Sequence, residues 1–130
     1  MALGDLAIVE SWLKSVNASD RTSLLALTAA DVEIVGPRGV GRGRELLADW
    51  LVRAGFSSQG LRWFCGTDGR IVVEQDATWV RPNGEKSSTQ VASAFVIREK
   101  QVARFQRFDS LNAALSAVGL GESDEVVVRS

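Results

Sequence analysis

The segment from residue 31 to residue 51 is the part of this sequence that most constrains what the chain can fold into. Residues 31–35 predict a strand, and the glycines and proline of residues 36–43 predict a tight turn with a very short return strand. An amphipathic helix is predicted over residues 43–54, stopped by Gly55. Its predicted buried face consists of Leu46, Leu47, Trp50, Leu51 and Ala54. A sheet edge followed by such a helix can fold over a pocket and roof it.

Helices are predicted at both ends of the remaining chain. Apolar side chains at helical spacing predict a first helix over residues 5–16. Ser19 or Asp20 can cap a short second helix that reaches Leu27. A last helix is predicted over residues 110–118.

Four long strands are predicted between the third helix and the last one. They cover residues 59–66, 70–80, 87–98 and 101–108. Turn signals join them at Asp68-Gly69, Pro82-Asn83-Gly84 and Glu99-Lys100. Three successive hairpins imply an antiparallel meander. The predicted class is α+β: three N-terminal helices on one face of a strongly curved sheet, plus a short C-terminal helix, which together form a cone with an apolar interior. Residues 1–120 are predicted as this one domain, and residues 121–130 as a tail that is loosely held or pairs its valines with an edge or partner chain.

The composition limits which partners, cofactors and acid–base groups this chain can have. A net charge of -1 in 130 residues does not indicate the basic surface that binds nucleic acid. No apolar run approaches the length of a membrane span. The single cysteine, Cys65, excludes an internal disulfide and fits a reducing cytoplasm. Without histidine or tyrosine, acid–base chemistry falls to Asp, Glu, Lys, Cys65 or water. A His-ligated metal site is ruled out, and no metal or organic cofactor is expected.

Three segments carry a resemblance to a known family. They are residues 32–40 (VEIVGPRGV) with Gly43 opening a helix, residues 73–79 (VEQDATW) and residues 107–115 (RFDSLNAAL) followed by Gly119-Leu120. Their order resembles the nuclear transport factor 2-like superfamily, and within it the SnoaL-like polyketide cyclase group. The resemblance implies a cone-shaped, cystatin-like fold with an interior pocket, and a homodimer formed through the outer sheet face. It leaves the reaction open, because that superfamily includes isomerases, cyclases, dehydratases, epoxide hydrolases and non-catalytic binding proteins.

The chain lacks residues that two of these enzyme classes use. The resemblance implies that epoxide hydrolases would place an Arg and an Asp at the positions of Gln75 and Ala77, so this charged pair is absent. Ketosteroid isomerases use a Tyr donor, which the chain also lacks.

Strand alternation identifies candidate ligand-binding residues on the long strand. Gln75 and Trp79 share a face with Ile71, Val73 and Ala77, and this face suits the cavity. A buried amide needs a partner, so Gln75 has either a structural hydrogen bond or a ligand. Trp79 lines the cavity or belongs to the ordinary core. The opposite face, with Glu74 and Asp76, suits solvent or a partner chain.

Asp109 is the first catalytic candidate. It matches an Asp at the end of the last strand in SnoaL-like proteins, where the resemblance implies an acid or base. The alternative is a helix N-cap, because Asp109 immediately precedes the last helix. Arg107 could pair with it inside the pocket, or form a solvent-facing ion pair near the sheet edge.

Further candidates come from other elements. Glu33 is a second acid–base group if it points into the cavity, and a solvated strand residue otherwise. Trp50 and Phe105 are predicted to line the cavity as ligand-binding residues or to be core. Arg38, Arg42 and Arg44 among the glycines are interpreted as solvated turn residues, because the phosphate-loop ending is missing.

The sequence thus predicts a protein that binds a small apolar molecule in a pocket. As an enzyme it would isomerise, cyclise or dehydrate a carbonyl-bearing substrate. The alternatives are a non-catalytic dimeric ligand-binding or interaction module, and a structural partner with a filled interior. No nucleic-acid or membrane partner is predicted.

Overall fold

Seven strands form one sheet in the computed structural model of the chain, which describes residues 2–36, 39–53, 57–80 and 83–127. The strands are β1 (Thr28–Gly36), β2 (Gly39–Arg42), β3 (Ser57–Cys65), β4 (Arg70–Val80), β5 (Lys86–Arg98), β6 (Gln101–Phe108) and β7 (Glu125–Val126). The helices are α1 (Ala2–Asn17), α2 (Arg21–Ala26), α3 (Arg44–Arg53) and α4 (Leu111–Val118), with a single 3-10 turn at Glu122–Asp124. The sheet order is β2-β1-β6-β5-β4-β3-β7, antiparallel except for the β1–β6 pair. The predicted α+β class and the β3–β6 meander are confirmed.

Two of the hairpin turns in the meander have the backbone that a two-residue loop requires. Asp68 and Gly69 have φ values of 61° and 75°, and Glu99 and Lys100 have 51° and 65°. Positive φ at both central residues matches the right-handed twist of the flanking strands. Register shifts within β1–β6, β3–β4 and β5–β6 mark bulges, which bend a strand and deepen the curvature of a sheet.

The face of the sheet that packs against α1, here called the inner face, carries the main core. Its strand members include Ile71, Val73, Ala77, Val91, Phe95 and Phe105. Asp20 begins α2 as predicted, and its carboxylate accepts hydrogen bonds from the Ser23 hydroxyl and N–H. These two bonds lower the pKa of Asp20 from its usual value.

An aromatic cluster fills the interior between α1 and the middle of the sheet. The ring centres of Trp12, Phe95 and Phe105 lie 5.3 Å from one another. The Trp12 indole N–H donates to the Thr28 hydroxyl at 3.0 Å, and that hydroxyl donates to the Leu24 carbonyl. At this level the interior is packed, so any cavity lies farther along the strands.

The opposite face, called the outer face, is partly covered by α4. This helix begins at Ser110, whose hydroxyl accepts from the Ala113 N–H, and ends at Gly119 with φ 73°. Its apolar side packs on Phe64, Val72, Ala92 and Ala94. The prediction that the Val72 face of β4 is left to solvent or a partner is therefore wrong where α4 lies.

Among its described side chains, helix α3 buries a face that differs from the predicted one. Leu46 was expected in the buried face but is 55% exposed, and its side chain lies next to Gly41 at the sheet edge. Leu47 is buried as predicted, and Ala48, which was not predicted in this face, is buried as well. Other predicted features lie outside the described residues, namely the Leu51 and Ala54 side chains, the Gly55 stop and the turn residues Pro37, Arg38 and Pro82.

The C-terminal segment pairs with the sheet edge, one of its two predicted alternatives. Val126 in β7 lies opposite Trp63 in β3. Arg62 forms ion pairs with Glu122 and Glu125, and these hydrogen bonds raise the pKa of the Arg62 guanidinium and lower that of Glu125.

Candidate functional site

A hydrogen-bonded line of polar side chains crosses the inner face of β3, β4 and β5. The Gln75 amide nitrogen donates to the Ser58 hydroxyl at 2.7 Å, and its oxygen accepts from the Ser93 hydroxyl. Asn17 holds the backbone N–H and carbonyl of Ser58 with two hydrogen bonds of 2.8 Å. Gln75 is 1% exposed, so both ends of its amide are satisfied inside the protein. Two roles were predicted for Gln75, a structural hydrogen bond or a bond to a ligand, and the structure shows the first.

Beyond this line, the inner face carries an arginine over a tryptophan. The guanidinium carbon of Arg107 lies 4.9 Å from the Trp79 ring centre, and both side chains are half-buried. Trp79 also packs against the main core. The structure therefore brings together two predicted ligand-binding residues.

Burial decreases along the inner face toward the β4–β5 hairpin. On β5, Val91 lies opposite Gln75 and is buried, whereas Thr89 lies opposite Ala77 and is exposed. We call these less buried inner-face positions the open end, formed by Trp79, Ser87, Thr89 and Arg107.

The other two predicted ligand-binding residues do not extend this group. Phe105 is 3% exposed and is held between Trp12 and Phe95, so it belongs to the aromatic cluster. Trp50 has its backbone in α3, but its side chain lies outside the described residues.

Asp109 lies in the bend between β6 and α4, where it is exposed. It does not cap the helix: Ser110 does, so the predicted N-cap role is wrong. Within the described residues no ion pair joins Asp109 to Arg107, because Arg107 lies over Trp79 instead. The catalytic role of Asp109 stays a prediction.

Glu33 points away from the main core. Its neighbours Val32 and Ile34 pack inward, so strand alternation places Glu33 on the outer face. Its carboxylate pairs with Arg104 at 2.9 Å and with Arg42 at 3.2 Å. Of the two roles predicted for Glu33, the cavity-facing acid–base group is therefore incorrect, because strand alternation and two ion pairs hold its carboxylate on the outer face of the sheet.

Cys65 lies half-buried at the end of β3 and packs against the main core. Burial, and secondarily the negative charge of Asp5, raises the pKa of its thiol. A raised thiol pKa means less thiolate at neutral pH, which agrees with its prediction as a small core residue.

We therefore expect Cys65 to react with a disulfide reagent about tenfold or more slowly in the native protein than in the protein unfolded by guanidinium. Thiol release measured by absorbance at neutral pH tests this, and Asp5→Asn should speed the native reaction only slightly. Equal rates in the native and unfolded protein would contradict it.

Two absences apply to the described part of the chain. No three Cys, Asp or Glu side chains come together there as ligands for a metal ion. None of its helices is long and apolar enough to cross a bilayer.

Two polar residues of the inner face were missed from the sequence. Ser93 lies between Val91 and Phe95 in the alternation of β5, so a polar residue on an apolar face was a usable signal. Ser58 had no such signal, because its contact with Gln75 depends on a register that shifts between Gly60 and Arg62.

No protein-family model and no curated protein matches the chain. Solved structures do. Bal32a from a soil-derived mobile gene cassette has a TM-score of 0.76 at 20% identity, covering 89% of this chain and 96% of that one. Rv0760c from Mycobacterium tuberculosis, in complex with estradiol-17beta-hemisuccinate, has a TM-score of 0.73 at 18% identity, covering 84% and 95%. An NTF2-like protein of unknown function from Cytophaga hutchinsonii has a TM-score of 0.71 at 11% identity, covering 84% and 92%. The chain therefore has the nuclear transport factor 2-like fold that its three motifs predicted.

Proposed function

We propose that this chain is a small-molecule pocket protein of the SnoaL-like kind, which binds an apolar ligand at the open end of its inner face. The observation that carries the proposal is the position of Trp79 and Arg107. Both are half-buried on the face that elsewhere forms the core, next to strand positions that the helices leave exposed. A concave, mostly apolar face with a few polar groups is typical of ligand sites.

The likeness to Rv0760c supports this choice. That protein shares the fold, and its structure contains estradiol-17beta-hemisuccinate. The aromatic cluster of the present chain leaves the middle of the interior filled, so we place the ligand at the open end, against Trp79 and not against Phe105.

Binding is better supported than proton-transfer chemistry. An isomerase, cyclase or dehydratase needs an acid or base within hydrogen-bond reach of the bound substrate. Glu33 is ion-paired on the outer face, and Asp109 is exposed in a bend. The Gln75 amide, which could orient a carbonyl, already has two internal partners. The non-catalytic alternative therefore becomes the first choice.

A bulky residue at Thr89 tests the site. Thr89→Trp places a large side chain on the inner face, so we expect the affinity for the neutral dye Nile red to fall by about tenfold or more. Lys14→Trp is the matched control, because Lys14 is an exposed residue of α1 that belongs neither to the open end nor to the outer face of the sheet. It should change the affinity by no more than about twofold.

The measurement is a fluorescence titration of the dye with each purified protein, after circular dichroism shows that the variants are folded. Saturable binding to the original chain that Thr89→Trp alone weakens supports the proposal. Absence of saturable binding, or equal loss in both variants, would refute it.

We also propose that the chain is a cytoplasmic homodimer. The resemblance implies dimerisation through the outer face, and α4 leaves part of that face uncovered, with Asp76, Ser88 and Gln90 exposed. The single cysteine fits a reducing compartment. Sedimentation equilibrium should give twice the mass of one chain; a single-chain mass would refute the dimer.

A further inference from the structure

Arg107 is half-buried on the inner face, so water only partly solvates its positive charge. It is opposite the buried Ser93 in the β5–β6 register, and it shares its strand face with the buried Phe105. Its guanidinium group lies over the Trp79 ring. A guanidinium held over an aromatic face keeps its N–H groups at its edge, where they can donate in the plane of the group.

No acidic side chain neutralises this arginine. All 16 Asp and Glu residues of the chain fall within the described residues, and none of them forms an ion pair with Arg107 there. Other arginines show the contrast: Arg104 pairs with Glu33, and Arg62 pairs with two glutamates. Arg107 is thus a half-buried positive charge whose hydrogen-bond donors have no acceptor among the residues that the structure describes.

We propose that the ligand of this site is an apolar molecule that carries a carboxylate, which Arg107 binds through its N–H edge. This inference rests on the proposed function and adds the substrate class to it. A planar guanidinium fits a carboxylate with two parallel N–H···O bonds, and partial burial strengthens the attraction. The Trp79 ring and the neighbouring apolar face would contact the rest of the molecule.

The test compares an acid with its neutral counterpart. The probes are 1-pyrenebutyric acid and 1-pyrenebutanol, which differ only in the charged end, with 2-naphthoic acid and 2-naphthalenemethanol as a smaller pair. Fluorescence titration at neutral pH gives each dissociation constant. We expect the original chain to bind each acid about tenfold or more tightly than its alcohol.

Two substitutions assign that preference to Arg107. Arg107→Met should remove it by weakening acid binding about tenfold, while alcohol binding changes by no more than about twofold. Arg107→Lys keeps the charge but not the planar fork, so it should retain part of the preference. Arg104→Met is the matched control: it removes the same charge from the same strand on the outer face, and both affinities should stay as they were.

The outcomes separate the two proposals. If the original chain binds acid and alcohol equally well, the carboxylate preference is wrong and the pocket stands. The same holds if Arg107→Met weakens both probes alike, or if Arg104→Met removes the preference as effectively. If the folded chain binds none of the four probes, the carboxylate preference is overturned, and the Nile red titration decides separately whether the pocket exists.

Discussion

Replacing Trp12 with alanine is expected to lower the free energy of unfolding by about 4 kcal/mol, the usual loss for a fully buried large aromatic side chain. Trp12 is 0% exposed and lies against both Phe95 and Phe105. Its removal leaves a void that α1 cannot close, because the C-terminal end of that helix is fixed to β3 by the hydrogen bonds between Asn17 and Ser58. The indole N–H bond to Thr28 is lost as well.

Two further variants separate packing from hydrogen bonding. Trp12→Phe keeps most of the ring but not the N–H donor, and should cost about 1–2 kcal/mol. The loss is small because the Thr28 hydroxyl still donates to the Leu24 carbonyl. Lys14→Ala, an exposed change on the same helix, should stay within about 0.5 kcal/mol of the original chain. Urea unfolding followed by circular dichroism measures all three. Equal stability of Trp12→Ala and Lys14→Ala would show that the aromatic cluster does not hold α1 on the sheet.

The strands of this fold could be predicted from the sequence because turn residues and the alternation of apolar residues, both local features, determine them. The bounds predicted for β4 and β6 are those observed, since Asp68-Gly69 and Glu99-Lys100 fix where the chain turns. The inner face of β4 followed from alternation alone. The position of α4 on the outer face could not be foreseen, because it depends on Phe64, Val72 and Ala94 meeting across three strands.

The site was harder to predict than the fold, because it depends on contacts between residues of different strands. Gln75 was identified as a buried amide, but its partners Ser58 and Ser93 come from two other strands. Both faces stayed open for Glu33, because one strand gives two faces and only the packing of Val32 decides which of them is inside. Ser110 caps α4, one residue after the predicted candidate Asp109. Backbone dihedral angles decide between these two residues, and both residue types are suitable caps.

Arg107 shows how this limit affects function. Its nearness to Asp109 in sequence suggested an ion pair, whereas the structure turns it onto Trp79 and leaves it without a carboxylate among the described residues. A pairing that neutralised both groups would have favoured an acid–base site. The observed arrangement favours a site that lacks an anion and obtains it from the ligand.

Replacing Gly69 with alanine is expected to destabilise the protein by about 3 kcal/mol, through two effects that add. Gly69 has φ 75°, a conformation that costs an L-residue about 1–2 kcal/mol. A Cβ there would also overlap the carbonyl oxygen of Ile97, which is backbone and cannot rotate away. The Ile97 N–H already donates to the Gly69 carbonyl at 2.8 Å, so the two chains cannot separate without losing that bond.

Gly84 is the control that divides these two effects. It has φ 87° in the next hairpin, but a Cβ there would meet no atom of the described chain within 4 Å. Gly84→Ala therefore carries only the backbone strain, and should cost about 1 kcal/mol. Urea unfolding of the two variants gives the difference, which we expect to be about 2 kcal/mol and to measure the close approach of β5 to the Asp68-Gly69 turn. Equal losses would mean that φ alone requires glycine at both turns, and that the strands have room for a side chain at Gly69.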